Sequence, residues 1–279
     1  MTKIFNVLLY FIVFLLTAVD VMAQTDKVDY YSAGYYEYGG ITLPYRQLDL
    51  HQNKDGKSIL VIQLHGGSAR GDDNEAQLAA SAVDSVENYL NAHGMKSIFL
   101  LPQCGADRVW NENASTYDVT MTMVLEHWLQ DFIASHSNVD VTRIYITGYS
   151  AGGSGSWRMI NDYQSMFAAA GIAAANPVMV TAENCKNTPV YAIAGSADRI
   201  MNATRIENFV NQMVALGGKA LFDLLEGKDH FGTCDTAFTG ERLDWLFAHR
   251  RSIAGDVNHD GTITSSDITA IYNILLGAE

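Results

Sequence analysis

The stretch YITGYSAGGSGSW, residues 145–157, decides the fold. It places Ser150 between Gly148 and Gly152, directly after a run rich in β-branched and aromatic residues. This G-x-S-x-G spacing is typical of a sharp turn from a strand into a helix, where glycines avoid clashes with neighbouring elements. The helix that begins at Ala151 directs its first backbone amides toward the raised serine hydroxyl. The pattern therefore predicts a serine nucleophile.

Short apolar runs alternate with longer amphipathic segments from residue 41 to about residue 246. The strand-like runs are SILVIQLHGG, KSIFLLPQC, RIYITGYS and PVYAIAGSAD, and GITLPYRQLDL predicts an antiparallel strand before them. The helix-like segments are NEAQLAASAVDSVENYLNAHG, YDVTMTMVLEHWLQDFIASHS and ATRIENFVNQMVALGG. This alternation predicts an α/β fold, with helices on both faces of a mainly parallel sheet.

A nucleophilic serine needs a base, and the base needs a third group to orient it. Asp198 follows the strand-like run PVYAIAG, and His230 follows the short predicted strand ALFDLLEG. Their chain order after Ser150 is serine, acid, histidine, as G-x-S-x-G hydrolases require. Asp229 and Asp235 are weaker alternatives for the acid. The remaining candidate histidines fit surface or packing roles better: His65, His93, His127, His136 and His249.

Acyl transfer also needs amide donors aimed at the oxyanion that forms during attack. The backbone amide of Ala151 is the first candidate donor. The second is the amide of Gly67 or of Ser68, in the glycine-containing loop after VIQLHGG. His65 is expected to hold this loop rather than to act as a base.

These motifs resemble α/β-hydrolase esterases related to feruloyl esterases, acetylxylan esterases and polyhydroxybutyrate depolymerases, especially the branch called predicted peptidases. The similarity covers roughly residues 41–250 and rests on LHGGSARGDDN, LPQCGADRVWNE, YITGYSAGGSGSW, AGSAD and GKDH. It implies a catalytic triad of Ser150, Asp198 and His230, with Trp157 packed behind the turn. Ala151 stands where that branch often has methionine, which leaves the required backbone amide in place.

The resemblance implies hydrolysis of acetyl or hydroxycinnamoyl esters on plant cell-wall polysaccharide, with no cofactor in the chemistry. Two alternatives stay open at this point. One is a serine peptidase similar to prolyl oligopeptidases. The other is a binding protein that keeps the fold without the activity.

Residues 1–23 resemble a signal peptide. Lys3 precedes an apolar run, and Val21 and Ala23 stand at the small-residue positions of a cleavage site before Gln24. An uncleaved membrane anchor is the alternative. Cleavage predicts a secreted protein, extracellular or at the cell surface, or alternatively periplasmic, with no membrane contact in its mature form. The formal net charge of −13 disfavours nucleic acid and anionic membranes as partners.

Three cysteines, Cys104, Cys185 and Cys234, match no zinc-binding spacing. An exported chain permits disulfides. A bridge between Cys185 and Cys234 is an open alternative, and at least one cysteine has no partner within the chain.

The composition changes at Gly255, which divides the chain into a predicted catalytic domain (24–251) and a tail (252–279). The stretch GDVNHDGTITSSDITAIYNILLG has the spacing of a calcium loop, with Gly261 at the sharp turn. The predicted ligands are Asp256, Asn258, Asp260, the carbonyl of Thr262, Thr264 or a water, and Asp267. A helix with an apolar stripe is expected to follow, formed by Ile268, Ile271, Tyr272 and Leu275.

This loop and helix resemble one repeat of a type I dockerin, because the loop ends in aspartate. The resemblance implies structural calcium and a cohesin-bearing scaffold as a partner. Dockerins carry two such repeats and this sequence shows one. A calcium-stabilised cap or a weaker tether is therefore an alternative role for the tail.

Overall fold

A computed structural model describes residues 27–253, 255–257 and 263–276 of the 279-residue chain. The predicted signal peptide lies outside the described residues. So do three of the predicted calcium ligands, Asn258, Asp260 and Thr262.

The described fold is built on one eight-stranded sheet with the strand order β1-β2-β4-β3-β5-β6-β7-β8. β1 and β2 form an antiparallel hairpin, β2 pairs antiparallel with β4, and every other pairing is parallel. The strands span Ser32–Tyr38 (β1), Ile41–Leu50 (β2), Ser58–Leu64 (β3), Ser97–Pro102 (β4), Val139–Tyr149 (β5), Ala169–Ala173 (β6), Val190–Gly195 (β7) and Ala220–Leu225 (β8).

Helices cover both faces of the sheet, as the alternating sequence pattern predicts. Along β3, Leu60 and Ile62 belong to one buried apolar cluster and Ile59 and Val61 to the other, because successive strand residues face opposite sides. The first cluster is covered by α2 (Met121–Ser135), α3 (Ala151–Asp162), α4 (Ala182–Cys185) and α5 (Ala203–Ala215). The second is covered by α1 (Ser81–Ala92), α6 (His230–Thr236) and α7 (Gly240–Phe247).

Two strands of this sheet were missed by the sequence analysis. β6 has the sequence AAGIA, whose alanines and glycine have low strand propensity, and it is fully buried between β5 and β7. Tertiary packing therefore overrides local preference at this strand. The second missed strand, β1, lies at the edge of the sheet.

The helix predicted over residues 74–94 is shorter than expected, because residues 76–79 form a 3₁₀ turn before α1.

The bridge between Cys185 and Cys234 that the sequence left open does not form. All three cysteines are free and buried. Cys185 belongs to the first apolar cluster and Cys234 to the second. The sheet therefore separates the two thiols, and burial raises the pKa of each to about 12.

The described part of the tail contains the predicted helix, here α8 (Ser265–Leu275). Its apolar stripe is exposed: Ile268 and Leu275 are 68% and 78% accessible. Before the tail, Arg251 donates from its backbone N to Thr142 O at 2.9 Å and from Nε to Val141 O at 2.6 Å. These bonds attach the last residue of the predicted catalytic domain to the start of β5.

Among the described residues, no helix combines the length and apolar character that a membrane crossing requires.

The buried position of β5 predicts that two isoleucine-to-alanine substitutions differ strongly in their effect on the free energy of unfolding. Ile146 on β5 is fully buried, whereas Ile274 on α8 is 68% exposed. Ile146→Ala should lower the free energy of unfolding by about 2–5 kcal/mol because it leaves a cavity in the core. Ile274→Ala should change it by less than about 0.5 kcal/mol. Urea unfolding of the full chain measures both, and equal losses would contradict the assignment of β5 to the core.

Candidate active site

Ser150 lies at the turn between β5 and α3, with backbone angles φ 53° and ψ −121°. A positive φ is strained for a residue that has a side chain. Two hydrogen bonds hold it: Ser150 N donates to Ala173 O at 2.9 Å, and Ser154 N donates to Ser150 O at 3.0 Å.

Two glycines make this turn sterically possible. A Cβ atom on Gly148 would overlap the backbone of Gly152. A Cβ atom on Gly152 would overlap the carbonyl oxygen of Leu64, the last residue of β3. The G-x-S-x-G spacing therefore reflects close approach between backbones, as the sequence analysis expected.

His230 joins Ser150 to Asp198. Its Nε2 lies 2.9 Å from Ser150 Oγ and its Nδ1 lies 2.8 Å from Asp198 Oδ2. The side chains of His230 and Asp198 are only 7% and 1% exposed. The other oxygen of Asp198, Oδ1, accepts from the backbone N of Ile200 at 2.8 Å and of Met201 at 2.9 Å. These contacts fix the carboxylate so that it faces the imidazole.

The alternative acids have other partners. Asp229 caps α6 through a hydrogen bond to its Oδ1 from Gly232 N at 2.8 Å. Asp235 Oδ1 accepts from Ser81 Oγ at 2.6 Å. Neither carboxylate is hydrogen-bonded to His230 among the described residues, so Asp198 occupies the position of the acid.

The other candidate histidines make local packing contacts. His93 stacks on Tyr89, His127 stacks on Tyr38, and His136 stacks on Phe132. The Nδ1 of His249 lies 2.8 Å from Trp245 O. These contacts agree with the surface and packing roles that the sequence analysis assigned.

The first residues of two helical segments lie beside Ser150. Ala151 begins α3, and Gly67 begins a short 3₁₀ turn that includes Ser68. A Cβ atom placed on Gly67 would lie 3.9 Å from the Cβ of Ala151, so the two segments face each other. The first amides of a helix have no acceptor within it. The two segments that carry the predicted oxyanion donors of Gly67, Ser68 and Ala151 therefore lie next to each other, and Gly67 and Ser68 line the same cavity as Ser150.

His65 holds this loop from inside the protein. It is 2% exposed, and its Nε2 accepts from the backbone N of Cys104 at 2.9 Å. Its proton must therefore be on Nδ1, which donates to Gly66 O at 2.7 Å. Burial lowers the pKa of His65 to about 4. The imidazole is thus a neutral structural link between the segment that follows β4 and the glycine loop, as expected for a residue that is not the base.

Trp110 was not singled out by sequence reasoning, although it lies within the quoted motif LPQCGADRVWNE. Its Nε1 donates to His65 O at 3.1 Å, and its ring contacts that of His65 with centroids 5.1 Å apart. Trp110 also packs against Gly155 of α3. A single buried tryptophan thus connects the loop at His65 to the helix that follows Ser150.

A cavity of about 920 Å³ opens beside Ser150 and His230. Gly66, Gly67 and Ser68 line it on one side. A substrate group placed there would contact the serine hydroxyl, the imidazole and the predicted oxyanion loop together.

Of the predicted calcium ligands, the described residues include Asp256, Thr264 and Asp267. Asp267 is 2% exposed; its Oδ1 accepts from Val257 N at 2.8 Å and its Oδ2 from Thr264 N at 2.7 Å. Thr264 is the N-cap of α8. Within the part of the chain that the structure describes, no group of three or more histidine, cysteine, aspartate or glutamate side chains could hold a metal.

Comparisons with known proteins bear on the fold and on the class of protein. Residues 106–241, which include Ser150, Asp198 and His230, match the sequence profile of the Dienelactone hydrolase family. A search among curated proteins found no significant match.

Many solved structures share the fold. One, a thermostable esterase, superposes with a TM-score of 0.70 at 25% identity, covering 81% of this chain and 64% of that chain. A ferulic acid esterase gives 0.60 at 17% identity, covering 78% of this chain and 97% of its own. An acylaminoacyl peptidase of Pyrococcus horikoshii gives 0.52 at 13% identity, covering 74% and 39%. The chain therefore has the α/β-hydrolase fold, and it matches less than two thirds of the length of the thermostable esterase.

The buried state of His65 predicts a pH dependence of stability. The unfolded chain binds a proton at this residue below about pH 6.5, whereas the native protein resists protonation until about pH 4. The contribution of neutral His65 is thus complete above pH 6.5 and is lost as the pH falls toward 4.

The stability difference between the wild type and His65→Gln should therefore shrink by about 3 kcal/mol between pH 7 and pH 4. Urea unfolding at a series of pH values measures this difference. A difference that stays constant with pH would contradict a neutral, buried His65.

Proposed function

We propose that this chain is a secreted serine carboxylesterase that hydrolyses acyl esters of plant cell-wall polysaccharide. The observation that carries the proposal is the hydrogen-bonded series Asp198, His230 and Ser150 at the edge of a cavity. The resemblance of the sequence to feruloyl and acetylxylan esterases supports the substrate class. Export depends on the predicted signal peptide.

In this mechanism His230 Nε2 removes the proton of Ser150 Oγ as the oxygen attacks the ester carbonyl. Asp198 keeps the imidazole oriented and stabilises its positive charge. The amides of Ala151 and of Gly67 or Ser68 bind the carbonyl oxygen as it becomes negative. His230 then protonates the departing alcohol, and the same imidazole activates the water that hydrolyses the acyl-enzyme. The chain's own side chains thus carry every proton transfer of the reaction.

Removal of the serine hydroxyl tests this proposal. Ser150→Ala should lower the turnover of 4-nitrophenyl acetate by at least about 1,000-fold, because no nucleophile remains. Ser154→Ala, one helical turn further along α3, is the matched control and should retain activity. A fluorophosphonate probe should label Ser150, as identified by mass spectrometry of the labelled peptide.

Labelling elsewhere, or equal turnover by the wild type and Ser150→Ala, would contradict the assignment. An absence of turnover in the wild type, with ligand binding unchanged in Ser150→Ala, would support the non-catalytic alternative. A panel of acetylated xylan, feruloylated arabinoxylan and matched peptide amides separates the esterase from the peptidase. The proposal requires the esters to react faster.

We also propose that the tail binds Ca²⁺ as a structural ion. Support comes from two aspartates that are almost fully buried although the tail is short, Asp256 at 3% and Asp267 at 2% exposure. Buried carboxylates in proteins are paired or bind metals. A carboxylate has about four lone-pair positions, so Asp267 can bind a cation beside its two backbone donors. Calcium would hold the loop closed, with no part in acyl transfer.

Calcium titration of the full chain tests this second proposal. Asp267→Asn should weaken Ca²⁺ binding by at least about ten-fold in isothermal titration calorimetry, because it removes one ligand charge. Asp72→Asn, an exposed aspartate in another loop, is the control and should bind like the wild type. A chelator should leave 4-nitrophenyl acetate turnover unchanged. Equal affinity in both variants would place any bound calcium elsewhere.

The exposed stripe of α8 supports a cohesin-bearing scaffold as the partner of the tail. Its members Ile268, Ile271, Tyr272 and Leu275 are 43–78% accessible, and they form a continuous apolar surface. With one repeat, we expect this attachment to be weaker than that of a two-repeat dockerin.

A further inference from the structure

The cavity beside Ser150 continues to a group of charged and polar side chains. Lys27, Ser81, Asp84 and Asp235 line the same cavity as Ser150 and His230. We call these four residues the polar end of the cavity. The mechanism proposed above uses none of them.

Other parts of the cavity wall are apolar. Leu78, Tyr149 and Cys234 line the cavity and are each less than a tenth exposed. Phe231 follows His230 directly and is 70% exposed. A substrate group with several hydroxyls would leave most of them without partners along these walls, which costs free energy. An apolar ring suits them better.

Lys27 lies almost buried at the polar end, with 8% exposure. Its Nζ donates to Leu78 O at 3.1 Å and forms an ion pair with Asp84 Oδ1. A lysine ammonium has three N–H donors. Among the described residues these are its two acceptors, so one donor remains for a group inside the cavity.

The cavity is also lined by the acceptors Asp84, which is paired with Lys27, and Asp235. Asp235 Oδ1 takes the hydroxyl hydrogen of Ser81 at 2.6 Å, which leaves Oδ2 without a donor among the described residues. The polar end carries one positive charge, on Lys27, and two negative charges, on Asp84 and Asp235. A substrate carboxylate would therefore be repelled overall, and a substrate ammonium would be repelled by Lys27. A neutral hydroxyl satisfies both kinds of partner, since it accepts from Lys27 and donates to an aspartate.

We infer that the polar end binds a hydroxyl group on an otherwise apolar aryl part of the ester, and that Lys27 is the residue that selects for it. This inference rests on the proposed function and names its substrate as a phenolic ester. Selection arises because an ester without the hydroxyl leaves the buried Lys27 donor unsatisfied.

Two methyl cinnamates that differ only in a para hydroxyl test the inference. The wild type should prefer methyl 4-hydroxycinnamate over methyl cinnamate in kcat/KM. Lys27→Met should reduce this preference by about ten-fold or more, because it removes a hydrogen bond from a charged donor. Turnover of 4-nitrophenyl acetate should change little, since an acetyl group carries no hydroxyl for the polar end to bind. Lys27→Arg retains a cation with several donors and should keep part of the preference.

Lys54→Met, which removes an exposed lysine outside the cavity, is the matched control and should keep the full preference. Thermal unfolding of each variant measures folding separately. An equal loss on both cinnamates, or no preference in the wild type, would overturn the inference while leaving the esterase in place. A wild type that hydrolyses none of the three esters would overturn the proposed function, and this inference with it.

Discussion

The backbone at Gly152 passes so close to the carbonyl of Leu64 that no side chain fits between them. This contact brings the start of α3 against the end of β3. The serine turn and the glycine loop, which follow two neighbouring strands, are thereby held at a fixed separation. Acyl transfer depends on such fixed dipoles, because donors that must reorganise during the reaction stabilise charge less well.

A second layer of buried polar contacts keeps the two loops rigid. His65 accepts a hydrogen bond from the backbone of Cys104, just after β4, and Trp110 donates one to His65 O. Trp110 also packs against Gly155 of α3, and all three side chains are shielded from water. The remaining groups come from the carboxyl ends of β7 and β8, which present Asp198 and His230 at the same edge as Ser150. The sheet therefore defines the site, and no group in it relies on a long unsupported loop.

Local sequence signals were sufficient where the chain's own backbone imposes the geometry. The glycines around Ser150, the apolar strands and the glycine-terminated helices all carry such signals. The observed proximity of Asp198 and His230 to Ser150 follows from chain order and strand ends, while their chemical roles remain predictions. β6 could not be predicted, because its alanines form a strand only when packed between two neighbours.

Contacts between distant parts of the chain left no local signal either. Lys27 reaches the cavity through a hydrogen bond to a residue 51 positions later, and no spacing rule anticipates it. The same holds for Trp110, whose partner is 45 positions earlier. Two buried thiols on opposite faces of the sheet likewise have nothing in their sequence that excludes a bridge.

The fixation of Arg251 to Val141 and Thr142 has a geometric consequence for the tail. These residues lie at the amino end of β5, and Ser150 follows its carboxyl end, eight positions beyond Thr142. At about 3.3 Å per residue, the two ends are roughly 26 Å apart. Arg251, the last residue of the predicted catalytic domain, consequently lies at the end of β5 remote from Ser150. In the proposed attachment to a scaffold, the tail would therefore begin at the end of β5 opposite to Ser150.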